Sequence, residues 1–174
     1  MNIAALIIGT LLIIIFSWFF SIKHKRYHGI PRFFAFESIF LLVLLNIGEW
    51  FHEPFSVHQV LSWILLILSA YFGLAGYIHL KRKGTPAGNI ENTTVLVKSG
   101  VYSIIRHPLY FSLLLLGTGV MMKDPDLPAL IPGGINLVAI WFTALAEEKE
   151  MVKKFGEPYK EYMKETKMFI PFIL

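Results

Sequence analysis

The chain has 174 residues, of which 55% are hydrophobic and 16% charged, and its mean hydropathy is +0.59. That is too apolar for a soluble domain of this length. The absence of cysteine excludes disulfides and thiolate metal sites. The formal charge of +4 is dispersed along the chain rather than gathered in a patch, so no nucleic-acid partner is expected.

Asn2 to Ile22 is the first apolar run. It lacks a basic leading segment and a small-residue cleavage site, and its positive charges follow it, so it reads as an uncleaved first span rather than a signal peptide. Phe33 to Phe51 and Val57 to Leu80 are the second and third runs. Each is long enough to cross ~30 Å of hydrocarbon at ~1.5 Å per residue. Glu37 and Asn46 lie inside the second run, where polar residues default to function, and Glu37 is placed within reach of a site at the cytoplasmic side. Glu49, His52, Glu53 and His58 gather at its outer end. One Glu-x-x-His with no second copy is a weak metal signal, and no metal is assigned. Ala70, Gly73 and Gly76 give the third run a small-residue face suited to close helix packing.

Lys81 to Ile105 is the longest polar stretch between spans, opened by Gly84-Thr85-Pro86, which ends the third helix. Pro108 suits the first turn of a fourth, shorter helix reaching Met122, with His107 at its N-cap. Asp124-Pro125-Asp126 turns the chain, and Leu127 to Ala146 forms the fifth span, with Pro128, Pro132 and Gly133-Gly134 as expected kink points. Glu147-Glu148 is read as its end. Beyond it the chain is amphipathic and charge-balanced, with a helix break at Phe155-Gly156 and a new start at Glu157-Pro158. Met168 to Leu174 is apolar and expected to return to the membrane, so the tail could close over a rim site.

The fold class expected is all-α: a polytopic integral membrane protein of about five transmembrane helices, ending in a helical hairpin and an amphipathic tail, 147–174. One domain covers 1–174, with spans at 2–22, 33–51, 57–80, 108–122 and 127–146. Of the 16 Lys and Arg, all but Lys123 fall on one side of five alternating spans. The positive-inside rule then places the N-terminus outside and the C-terminus in the cytoplasm, of a prokaryotic inner membrane by expectation.

Folding the hairpin about Pro125 brings Pro108 level with Phe142, one turn from Glu147. Arg106, His107, Tyr110, Glu147 and Glu148 therefore meet at the cytoplasmic rim. A helix N-terminus favours an anionic group, carboxylates accept ribose hydroxyls or an ammonium, and aromatic faces tolerate a sulfonium. S-adenosylmethionine meets all three demands, although these demands alone do not single it out.

Val95-Leu96-Val97-Lys98-Ser99-Gly100-Val101-Tyr102, Arg106-His107-Pro108-Leu109-Tyr110, Glu147-Glu148 and Phe155-Gly156-Glu157-Pro158-Tyr159-Lys160-Glu161-Tyr162, in this order, resemble the integral-membrane methyltransferases. That group includes isoprenylcysteine carboxyl methyltransferase and the phospholipid N-methyltransferases. The resemblance covers about the C-terminal half, and the first three spans match only as hydrophobic segments. It implies S-adenosylmethionine bound by Thr94, Val95, Leu96, Val97, Tyr102, His107, Pro108, Leu109, Tyr110 and Glu147. The acceptor would arrive from the bilayer as a lipophilic small molecule, a lipid or a prenylated substrate. Arg106 would orient the acceptor or brace the loop. His107 and Glu148 are the candidate bases for an amine or hydroxyl acceptor, whereas a carboxylate would need none. There are two departures. Thr143 stands where prenylcysteine enzymes carry a basic residue, and Ser112 stands where a Gly is frequent. Two rival readings remain: an NADPH-dependent, sterol-reductase-like enzyme, for which only Lys98 and Arg106 could meet a 2′-phosphate, and a non-catalytic membrane scaffold or assembly factor.

Overall fold

Six α-helices make up the computed structural model, which describes residues 2–24, 26–87 and 92–171. Met1, Lys25, residues 88–91 and the last part of the expected membrane-returning tail, 172–174, lie outside the described residues. Helix α1 runs Ile3–Phe20, with the Asn2 side chain accepting from the N–H groups of Ala4 and Ala5 at 3.1 and 3.2 Å. Helix α2 runs Gly29–Leu45, α3 Val57–Lys83, α4 Pro108–Met121, α5 Leu127–Phe155 and α6 Glu157–Glu165. Short 3₁₀ turns occupy Ile22–His24 and Gly100–Ser103. Among the described residues α1, α3 and α5 are long and apolar enough to cross a membrane by length and composition. The chain is thus all-helical and membrane-embedded. By the same measure α2, at 17 residues, and α4, at 14, are short.

Two expected boundaries are corrected. The second helix covers Gly29–Leu45 rather than 33–51. Pro31 falls in its first turn, where the missing N–H is harmless. At the other end Asn46 leaves the helix and donates through Nδ2 to the Val120 carbonyl at 2.8 Å, and turns fill the stretch to Ser56. Glu147-Glu148 also does not end the fifth helix, because α5 continues to Phe155. The carboxylates therefore sit inside a helix wall rather than at its C-terminus. Helix starts were better legible: His107 is the N-cap of α4, and Asp126 caps α5 by accepting from Ala129 N–H at 2.9 Å.

Helix α3 packs on α4, α2 on α5 and α1 on α2, while α4 also touches α2 and α5. The small-residue face of α3 meets α4 as expected: a Cβ at Gly73 would lie 3.3 Å from Ser112 Oγ, and one at Gly76 would lie 3.1 Å from Leu109. One core joins Ala35, Tyr110, Ala139, Ile140 and Ala144 with Met168 and Phe169 of the returning tail. A second core joins Leu42, Val120 and Ala129 nearer the other end. There Lys123, 1% exposed, donates to Gln59 Oε1 at 3.1 Å, with its Nζ 3.7 Å from the Trp63 ring centroid.

Candidate functional site

Three segments converge where α4 begins. Gly100 has φ +64°, and a Cβ there would strike His79, so only glycine lets the 93–103 loop lie this close to α3. Gly156, at φ +65°, turns α5 into α6. The tail then runs back beside the start of α4: Arg106 N–H donates to the Lys167 carbonyl at 2.8 Å and His107 N–H to the Met168 carbonyl at 3.2 Å. This extended pairing is what the apolar end of the tail does among the described residues. Met168 and Phe169 bury against the helices, with Phe169 6.1 Å from the His107 ring.

Arg106 and Glu148, 42 residues apart in sequence, form an ion pair at 2.7 Å. The same guanidinium donates to the Met163 carbonyl at 3.2 Å and to the Thr166 carbonyl, which satisfies the last acceptors of α6. His107 lies between both acids. Its Nδ1 is 3.5 Å from Glu147 Oε2, and its Nε2 is 3.4 Å from Glu148 Oε1. Two acceptors on two ring nitrogens require two N–H donors, which is the imidazolium. Burial favours the neutral ring, but the hydrogen bonds and charges of Glu147 and Glu148 outweigh it, and the pKa is raised above its ordinary 6.5. Glu147 is further held by Arg26 at 4.0 Å. Arg26 and His28 also reach Glu150, at 3.4 and 2.9 Å, tying the segment before α2 to α5.

Beside this cluster is a cavity of about 260 Å³. Of the residues expected at the site, Leu96, Val97, Tyr102, Arg106, His107, Leu109, Tyr110 and Glu147 line it. Glu148 stands behind them, 7% exposed, braced by Arg106. Pro108 is buried in the first turn of α4 without facing the cavity, and Thr94 and Val95 are exposed outside its walls. Thr94 instead donates to the Thr85 carbonyl at 2.8 Å, and its neighbour Thr93 takes the place on the wall. Glu37, placed within reach of the site from sequence, accepts from Thr10 Oγ1 at 2.6 Å on the α1 side and does not line the cavity. Thr143 donates to the Ala139 carbonyl at 2.7 Å and is likewise off the wall.

Several wall residues were not expected: Arg32 and Phe36 from α2, Met151 and Phe155 from the extension of α5, and Tyr159 and Tyr162 from α6. The i, i+3 spacing of the two tyrosines was the one visible signal, since it puts both on one face of a short helix. Tyr162 donates to the Tyr102 carbonyl at 2.5 Å, closing α6 over the loop. Burial first, then the nearby Glu147 charge, push the Tyr102 phenol above its ordinary pKa, so it stays neutral. Beyond the end of α2, Glu49 and His52 are 3.5 Å apart and exposed. No group of three potential metal ligands occurs among the described residues.

Comparison with known proteins bears on this site. A family model described as phospholipid methyltransferase matches residues 57–158, more than half of the chain. Protein-S-isoprenylcysteine O-methyltransferase of Mus musculus is 36% identical over 89 residues, covering 48% of this chain and 30% of that protein. Methanethiol S-methyltransferase of Crocosphaera subtropica is 28% identical over 124 residues, covering 65% of this chain and 44% of that protein. Methanethiol S-methyltransferase 2 of Bradyrhizobium diazoefficiens is 28% identical over 153 residues, covering 75% and 56%. The chain thus spans between about a third and just over half of the length of these curated relatives.

Proposed function

Because the chain belongs to the phospholipid methyltransferase family, we propose that it transfers a methyl group from S-adenosylmethionine to a lipophilic acceptor at the cytoplasmic rim of the bilayer. One observation carries this reading: Arg106, His107 and Glu147, braced from behind by Glu148, interlock on the wall of a cavity whose other sides are largely tyrosine, phenylalanine and aliphatic. The donor set fits the methyl donor. Glu147 offers a carboxylate to ribose hydroxyls or an ammonium, and Tyr102, Tyr110, Tyr159 and Tyr162 offer π faces to a sulfonium. Bound there, the donor supplies an electrophilic methyl carbon.

The chain's own residues supply position. His107 and Arg106 lock the two acids in place, and the acids in turn hold the cavity's polar edge at fixed geometry. Tyr162 and the returning tail shut α6 against the loop, so the reacting groups are shielded from water. Arg106 is in this reading a positioning residue, since its hydrogen bonds go to Glu148 and to α6. The cytoplasmic placement follows from the charge asymmetry of the loops. Reporter fusions after Ala146 and before Pro108 test it, and fusions reporting opposite sides would overturn it.

Calorimetric titration of the purified protein in nanodiscs decides the cofactor. S-adenosylhomocysteine is expected to bind wild type, and Glu147→Ala and His107→Ala are expected to abolish that binding. Binding of NADPH with none of S-adenosylhomocysteine would replace this reading with the reductase one. Binding of neither would favour a scaffold.

A further inference from the structure

The charge cluster beside the cavity does not end at Glu147. From there the contacts continue through Arg26 to Glu150 and on to His28, so an unbroken line of acids and bases runs from Arg106 to His28. Glu147 and Glu150 are three residues apart on α5 and share one face of that helix. A single guanidinium bridges them: Arg26 Nε is 3.4 Å from Glu150 Oε2, and its Nη2 is 4.0 Å from Glu147 Oε1. Glu150 is held in turn by His28, the N-cap of α2. The His28 Nδ1 is 2.9 and 3.0 Å from the two carboxylate oxygens, and the main-chain N–H donates to Oε1 at 3.5 Å. A carboxylate at that helix start also suits the α2 dipole. Arg26, His28 and Glu150 stand behind the cavity wall rather than on it. Arg26 and His28 also precede the residues matched by the family model, 57–158.

The two oxygens of Glu147 are turned to different cations. Oε2 is 3.5 Å from His107 Nδ1, and Oε1 is 4.0 Å from Arg26 Nη2. A glutamate carboxylate rotates easily about its last torsion, and charges acting on opposite oxygens restrain that rotation. At 4.0 Å the guanidinium attracts Oε1 without forming a hydrogen bond. That oxygen therefore keeps its capacity to accept from a ligand in the cavity that Glu147 lines. Loss of Arg26 would leave the carboxylate in place and remove one of the charges that orient it.

We propose that Arg26, anchored by Glu150 and His28, is a positioning residue for Glu147, holding the carboxylate in the orientation in which it accepts from the bound methyl donor. This deepens the methyltransferase reading and rests on it. The segment before α2, which carried no motif, thereby raises affinity for a ligand that it does not touch.

The test is a double-mutant cycle on the full chain in nanodiscs, with S-adenosylhomocysteine titrated by calorimetry into wild type, Arg26→Gln, Glu147→Gln and the double variant. Arg26→Gln is expected to weaken binding by roughly threefold to tenfold, within the range of interaction energies in one charge network. In the Glu147→Gln background the same substitution should change affinity by less than about twofold. The cycle separates the Arg26–Glu147 pair from every other contact that Arg26 makes. An equal loss in both backgrounds, or no loss in either, would overturn the proposal and leave Arg26 with a structural role. Tighter binding by Arg26→Gln would overturn it in the opposite sense, since Arg26 would then compete with the ligand for Glu147. Should Arg26→Gln not fold, Arg26→Lys serves in the same cycle, because it keeps the charge but cannot bridge two acids with one planar edge. Its loss should again appear only where Glu147 is present. If S-adenosylhomocysteine fails to bind wild type, the methyltransferase reading itself falls, and the cycle is read on unfolding temperature instead. A combined shift smaller than the sum of the single shifts would then support the hold of Arg26 on Glu147, and strict additivity would overturn it.

Discussion

At the end of α4 the Lys123 ammonium donates to Gln59 Oε1, and the Gln59 amide donates to the carbonyls of Glu49 and Lys123 at 2.7 and 3.0 Å. The rings of Trp63 and Trp50 stand 3.7 and 5.2 Å from the Lys123 Nζ. Ser62 and Asn46 complete the knot by donating to the carbonyls of Gly119 and Val120 at 2.6 and 2.8 Å. At the start of the same helix the polar groups are ionised acids and bases, and one flank opens to the cavity. In the knot at the end of α4, Gln59, Ser62 and Asn46 give their donors to backbone carbonyls, and Lys123 gives its own to Gln59. At the start of α4 the acids and bases pair chiefly with one another, and Arg106, His107 and Glu147 among them line the cavity. Buried polarity in an apolar chain is therefore not one signal but two, told apart by where the hydrogen bonds end.

The comparison breaks most visibly if affinity and stability fail to separate between the two ends. Glu147→Gln keeps the volume and removes the charge. It is expected to weaken S-adenosylhomocysteine by about tenfold to a hundredfold, the range for losing a hydrogen bond to a charged group, as read by calorimetry. Lys123→Met at the end of α4 should leave that affinity within about twofold. It should destabilise the fold by about 2–4 kcal/mol, through the lost cation–π contacts and an unpaired Gln59 oxygen, as measured by thermal unfolding in nanodiscs. A variant there that lost affinity, with its helix content intact, would contradict the division.

pH sharpens the contrast. The raised pKa of His107 means that its cationic form adds stability in full below about 6.5, its unfolded value. That contribution is lost as pH rises through the higher folded value. Wild type should therefore lose unfolding temperature as pH rises above about 6.5. The slope should flatten in His107→Gln and persist in Lys123→Met. A slope retained in His107→Gln would assign the dependence to another group.

Legibility followed the same division. The helix starts at His107-Pro108 and Asp126 were visible because capping chemistry is local, and the meeting of Arg106 with the acids followed from folding one hairpin. The α2 boundaries were not visible. An apolar run marks what lies in hydrocarbon, whereas the helix itself is bounded by Pro31 and by the tertiary bond of Asn46 to Val120. Arg32 was counted as a loop-side charge because a cation near a span end reads as an anchor. Only packing of α2 against α5 carries it onto the cavity wall. Lys123, in the turn between α4 and α5, carried no sign in sequence that tryptophans and glutamine enclose it.

The smallest effect expected lies between the two ends, at Ser112, where related sequences often have Gly. Ser112 Oγ donates to the Leu109 carbonyl at 2.7 Å, and its own carbonyl accepts from Ser69 Oγ at 2.7 Å. Opposite it Gly73 sits tightly, since a Cβ there would come within 3.3 Å of the Ser112 hydroxyl. The serine thus fills space that Gly73 vacates. Ser112→Gly should cost only about 0.5–1 kcal/mol, the helix-interior penalty of glycine partly offset by removing a side-chain bond that competes with the helix. Gly73→Ala alone should destabilise by crowding, whereas Gly73→Ala in the Ser112→Gly background should recover most of that loss. Thermal unfolding of the two single variants and the double variant closes the cycle. Strict additivity would mean that α3 and α4 tolerate the extra methyl by shifting, and that the serine has no steric partner in Gly73.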